Sequence, residues 1–120
     1  MKTKTVVLGA SENPTRYSNM AVRSLLRHNK EVVAVGLKEG EIEGVKILSG
    51  KPAIENVDTV TMYVGPQNQK DFYDYVLSLK PKRIIFNPGA ENEELEKLAA
   101  KNGIEVVEAC TLVMLSIGNY

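Results

Sequence analysis

Hydrophobic residues in this chain gather in short runs separated by amphipathic stretches. Residues 5–8 read Thr-Val-Val-Leu and stop at Gly9. Similar runs lie within 32–35, 59–64, 83–86 and 105–107. Short apolar runs without polar alternation suit strands of a parallel sheet, whose two faces are both covered. Between them apolar positions recur at helical spacing. Val22, Leu25 and Leu26 do so within 19–28, Phe72, Tyr75, Val76 and Leu79 within 67–79, and Leu95, Leu98 and Ala99 within 91–101.

The punctuation agrees with these elements. Ser18 is placed to cap the first helix, and Asn29 and Gly103 stand where the first and third helices must stop. Pro81 separates the second helix from the fourth strand, and Glu91, Glu93 and Glu94 crowd a helix start, where they complement its dipole. Residues 37–57 are less regular, with Gly40, Gly44, Gly50 and Pro52. A short extra strand around 45–48 and a helical turn near Ala53 are expected there. Strand–helix alternation predicts an α/β protein with right-handed crossovers. The pattern fits a Rossmann-like, doubly wound, five-stranded parallel sheet in the order 3-2-1-4-5, with helices on both faces. Such a sheet binds ligands beyond the strand carboxyl ends, where the winding reverses. That singles out the loops after strands one and four (10–18 and 87–91), flanked by those at 36–40 and 65–67.

Composition narrows the class. The 120 residues suffice for one domain spanning 1–120, and fifteen basic residues balance fifteen acidic ones. A neutral chain without basic blocks argues against a general nucleic-acid binder but leaves room for a small anionic ligand. The single cysteine, Cys110, makes no disulfide framework. The run "TVVLGA" is too short for a signal-peptide core or a membrane span, so a cytoplasmic location without membrane association is expected.

The first loop carries the candidate chemistry. It offers Ser11, Asn13, Thr15, Tyr17 and Ser18 as polar groups, Arg16 as a cation, and the free amides of the following helix. Such a helix start is a reasonable pyrophosphate site; the competing reading is a loop whose polar groups satisfy only its own backbone. After the second strand, enzymes that use NAD place an acidic residue for the ribose. Here the chain has Gly36-Leu37-Lys38, which disfavours NAD and allows NADP or coenzyme A, both carrying an extra ribose phosphate.

The stretch "GASENPTRYS" resembles the G-A-S-x-x-P-x-R-x-S opening of the small bacterial and archaeal CoA-binding proteins, matched at Gly9, Ala10, Ser11, Pro14, Arg16 and Ser18. These Rossmann-like domains are similar to the N-terminal CoA-binding domain of the succinyl-CoA synthetase alpha subunit. Their V-N-P-K after the second strand is matched by Val35 and Lys38, their F-R-x-P after the third by Tyr63 and Pro66, and their Q-x-G after the fourth by Gly89 of Asn87-Pro88-Gly89. A cysteine after the fifth strand is matched by Cys110. The resemblance implies that the first loop, Gly9, Ala10, Ser11, Asn13, Pro14, Arg16, Tyr17, Ser18 and Asn19, holds the diphosphate of coenzyme A or an acyl-CoA. It puts Gly36, Leu37 and Lys38 by the adenosine end, and Val64, Gly65 and Pro66 against adenine or pantetheine, with Asn87 and Gly89 completing the set. The missing Asn-Pro and Arg remove one rigid turn and one cation, which weakens the expected affinity.

The catalytic inventory is thin. His28 sits near a helix end between Arg27 and Asn29, where a cation suits the dipole, and nothing pairs with it as a general base must. Cys110 reads as a small core residue, with a pocket-facing thiol as the sharper alternative. Glu91, Glu93 and Glu94 are explained by a helix start, Phe72 and Tyr75 by a core, and no cluster has metal-ligand spacing. The sequence therefore points to a binder of a small nucleotide that performs no chemistry alone. Two other readings stay open: a small NADP- or CoA-dependent enzyme using Cys110, and a protein-interaction module that has lost its ligand.

Overall fold

In the computed structural model, which describes residues 4–120, β1 (Lys4–Leu8) lies inside the sheet, flanked in parallel by β2 (Glu31–Gly36) and β5 (Val57–Met62). β4 (Val45–Ser49) extends the sheet beyond β2, and β3 (Gly40–Ile42) closes that edge as the antiparallel partner of β4. β6 (Arg83–Phe86) and β7 (Glu105–Glu108) complete the other side. The order β3-β4-β2-β1-β5-β6-β7 makes a mostly parallel Rossmann-like sheet of seven strands among the described residues.

The α/β class agrees with the sequence pattern, and the strand order corrects part of it. The place beside β2 belongs to β4, not to the strand at 57–62, which pairs with β1. The winding therefore reverses between β1 and β5. The loop after β5, rather than the one after β6, stands next to the first loop. The short extra strand expected at 45–48 is β4, and β3 is the addition; the two form a hairpin in which Ile42 pairs with Val45 across Glu43-Gly44. Both turn residues have positive φ, 47° and 86°, the geometry of a two-residue turn whose twist matches its strands. The helical turn expected near Ala53 does not form.

Helices cover both faces. On one side α2 (Tyr73–Ser78) and α3 (Glu93–Lys101) bury Tyr75, Val76, Leu95 and Ala99 against Val6, Leu8, Val60, Ile84 and Phe86. On the other, Val22 and Leu25 of α1 (Tyr17–Arg27) and Leu115 of α4 (Thr111–Ile117) meet Val7, Ala34 and Ile47. The alternation of Val6 and Leu8 against Val7 is the strand period of two, with both faces apolar. The second helix is shorter than its apolar pattern, because two 3-10 turns, Pro66–Asn68 and Lys70–Phe72, replace its first part. Asn92 caps α3, its side chain accepting from the amides of Glu94 and Leu95, and Glu93 and Glu94 lie in the first turn as expected. Asn29 ends α1 with a φ of 60°, as its place in the sequence requires.

Candidate functional site

A cavity of about 1230 Å³ opens beyond the carboxyl ends of β1, β2 and β5. It exceeds the ~300–1,000 Å³ usual for drug-sized ligands, so it is roomy enough for a nucleotide with an extended tail. Its walls come from the first loop, the β2–β3 link, the turn after β5 and the start of the loop after β6.

The first loop is held to the sheet by its own backbone. The amides of Gly9 and Ala10 both donate to the Val35 carbonyl, at 2.8 and 2.9 Å. Gly9 has φ 99° and packs on the Tyr63 backbone, where an added Cβ would come within 3.1 Å; a residue with a side chain would be strained there. Asn13 shapes the tip. Its Oδ1 accepts from the amide and hydroxyl of Thr15, while its own amide donates to Ser11 Oγ. Part of the loop's polarity thus satisfies the loop itself. Asn19 and Arg23 brace it from the helix. Asn19 Nδ2 donates to the Ser11 carbonyl, and Arg23 donates to Asn19 Oδ1 and to the Pro14 carbonyl.

What the loop leaves free is the helix start. Arg16 is the N-cap residue of α1, and no side chain caps it. The expected cap, Ser18, is corrected: the helix begins at Tyr17, so Ser18 lies inside its first turn and is buried. The earliest helical amide to donate is that of Met20, to the Arg16 carbonyl. The amides of Tyr17, Ser18 and Asn19 have no partner among the described residues. These donors lie at the positive end of the helix dipole; of their residues Tyr17 and Ser18 line the cavity, beside the exposed Arg16, which forms no ion pair among the described residues.

Of the residues expected from sequence, Gly9, Ala10, Ser11, Asn13, Arg16, Tyr17, Ser18, Gly36, Leu37, Lys38, Val64, Gly65 and Gly89 line this one cavity. Four do not. Pro14 and Asn19 support the loop from behind, and Pro66 is exposed at the first position of a 3-10 turn. Asn87 lies beneath the loop after β6. It is buried, and its amide is committed inward: Nδ2 donates to Thr61 Oγ1 and the Met62 carbonyl, and Oδ1 accepts from the Thr111 amide. Its three partners tie β5 and β6 to α4.

The sequence pattern does not single out Glu12, Lys51 or Gln69, while Tyr63, a motif match, and Phe72, expected in the core and packed against it, also line the cavity. Glu12 lines the cavity but accepts from the Glu41 amide at 3.0 Å, so its charge is turned to β3. Gln69 is fully buried. Its Nε2 donates to the carbonyls of Val64 and Ala90, and its Oε1 accepts from Asn92. It thereby locks together the two loops that form the far wall. Its partners lie up to 23 positions away, and no local pattern signals such a role. Tyr63 lines the cavity, and its buried hydroxyl, beside the Thr61 and Thr111 hydroxyls, has no partner within hydrogen-bond geometry among the described residues. Burial, and then Cys110 nearby, raise its phenol far above the ordinary value, so it stays protonated. Cys110 itself, weighed above as a pocket-facing thiol, is half-buried at the start of α4 and does not line the cavity. No group of three His, Cys, Asp or Glu side chains is placed to hold a metal ion, and no helix is long and apolar enough to cross a membrane, among the described residues.

The family described as "CoA binding domain" matches residues 3–116. A crystal structure described as that of an uncharacterized protein shares 53% identity over 100% of this chain and 99% of its own, with a TM-score of 0.96. A conserved hypothetical protein from Pyrococcus furiosus shares 31% identity over 88% of this chain and 91% of its own, with a TM-score of 0.75. A dinucleotide-forming acetyl-coenzyme A synthetase of Ca. Korarchaeum cryptofilum, solved with phosphate and ADP, shares the fold. Its TM-score is 0.72 at 22% identity, over 89% of this chain and 25% of that one. No curated protein matches the sequence.

Proposed function

Because this chain belongs to the CoA binding domain family, we propose that its cavity binds coenzyme A or an acyl-CoA and that the chain performs no chemistry on it alone. The observation that carries this reading is the set of unused donors on the cavity wall: the uncapped first amides of α1 with Arg16 beside them. In this reading the diphosphate sits on those amides and on Arg16. Lys38 lies by the ribose phosphate, and Val64 to Pro66 border adenine or pantetheine. Tyr17 and Leu37 are 69% and 89% exposed on the cavity rim. Apolar surface this bare gains cover when a ligand's base or tail lies over it.

Calorimetric titration with CoA and dephospho-CoA tests the assignment. Arg16→Ala should weaken both ligands alike, by roughly 10- to 100-fold, as loss of a charged hydrogen bond of about 1.5–3 kcal/mol. Lys38→Ala should weaken CoA more than its dephospho form. Absence of heat with either ligand, together with no thermal shift, would favour a module that keeps the fold for protein contacts.

A further inference from the structure

A second cation reaches the same corner of the cavity as Lys38. β2 and β4 run parallel, and their last paired positions are Gly36 and Ser49. Lys38 and Lys51 each lie two residues beyond those positions. The link from β2 to β3 must cross the carboxyl end of β4, because β3 lies on the far side of β4 and runs antiparallel to it. Both lysines therefore leave the sheet at one place, and both line the cavity. Adjacent strands are about 4.8 Å apart, a gap that two flexible four-carbon side chains close easily.

The two side chains are available. Neither forms an ion pair among the described residues. The Lys51 ammonium lies 5.7 Å from the centroid of the Phe72 ring, which also lines the cavity. That contact keeps the exposed Lys51 beside a ring of the cavity wall. Of the three acidic residues that line the cavity, Glu12 is held by the Glu41 amide, and Glu39 and Asp71 are exposed.

Paired ammonium groups suit a dianion better than a monoanion. A diphosphate link carries one charge on each phosphorus, whereas a phosphomonoester carries roughly −1.5 to −2 near pH 7. We infer that Lys38 and Lys51 together form a subsite for a ribose phosphomonoester. The ligand class is then a nucleotide phosphorylated on its ribose, and the protein selects it over the dephosphorylated form. This deepens the CoA reading and rests on it.

Titrations of the wild type, Lys51→Ala, Lys51→Arg and Lys38→Ala/Lys51→Ala with CoA, dephospho-CoA and adenosine bisphosphate test the subsite. Lys51→Ala should weaken CoA about tenfold and dephospho-CoA by less than about twofold. Lys51→Arg should keep most of the affinity, and added salt should erode CoA binding less in Lys51→Ala than in the wild type. Equal losses for the two coenzyme forms, or no loss for CoA while the wild type binds it, would overturn the subsite and leave the CoA reading intact. Lys51-dependent binding of adenosine bisphosphate without any binding of CoA would keep the subsite and overturn the CoA reading. A wild type that binds none of the three overturns both.

Discussion

Gly36→Ala should cost this protein about 2–3 kcal/mol of stability and most of its affinity for the ligand. A Cβ at this position would lie 2.3 Å from the Ala10 carbonyl oxygen and 3.1 Å from a methyl of Ile47. The oxygen belongs to backbone, so no rotamer change relieves the clash. Nor can the first loop simply lift away, because Gly9 and Ala10 both donate to the carbonyl of Val35, the residue before Gly36. The single methyl group must displace either the end of β2 or the start of the loop, and both wall the cavity. Urea denaturation with parallel CoA titration checks the prediction. A Gly36→Ala protein within about 0.5 kcal/mol of the wild type would mean that the crossing is looser than described.

Asn87→Leu should destabilise more, by about 3–5 kcal/mol. The substitution conserves much of the volume and removes every polar partner at once. The buried Thr111 amide loses its acceptor, the Met62 carbonyl loses a donor at 2.9 Å, and Thr61 Oγ1 loses one at 2.7 Å. Thr61→Val removes only the hydroxyl's contacts with Asn87 and Thr111 and leaves Asn87 bonded to the Met62 carbonyl and the Thr111 amide, so it should cost less than Asn87→Leu. The folded fraction should still bind CoA, since Asn87 does not line the cavity. Lost binding at unchanged stability would return Asn87 to the ligand.

How much of this was legible in the sequence depends on the range of the interaction. Asn29 could be read as a helix stop because a left-handed residue leaves a local trace. The first loop stood out because it follows an apolar run and precedes a helical one, a juxtaposition within about a dozen positions. The hairpin at Glu43-Gly44 escaped notice because glutamate rarely occupies a positive-φ turn position, and three nearby glycines read as a breaker-rich crossover instead. The strand expected at 45–48 was therefore not given its place beside β2, which moved the expected winding reversal one loop too far. Ser18 looked like a cap because local pattern cannot separate a helix start at Tyr17 from one two residues later. Gln69, Asn87 and Lys51 were hidden for another reason. Each acts across strands or loops distant in the chain, where only the assembled sheet brings partners together.

If the first turn of α1 is an anion grip, amide proton–nitrogen NMR spectra recorded during CoA titration will show it there. The amides of Tyr17, Ser18 and Asn19 should move downfield together as new acceptors arrive, saturating in step with Gly36, Leu37 and Lys38. Binding that leaves those three amides in place while shifts collect on another face would contradict it.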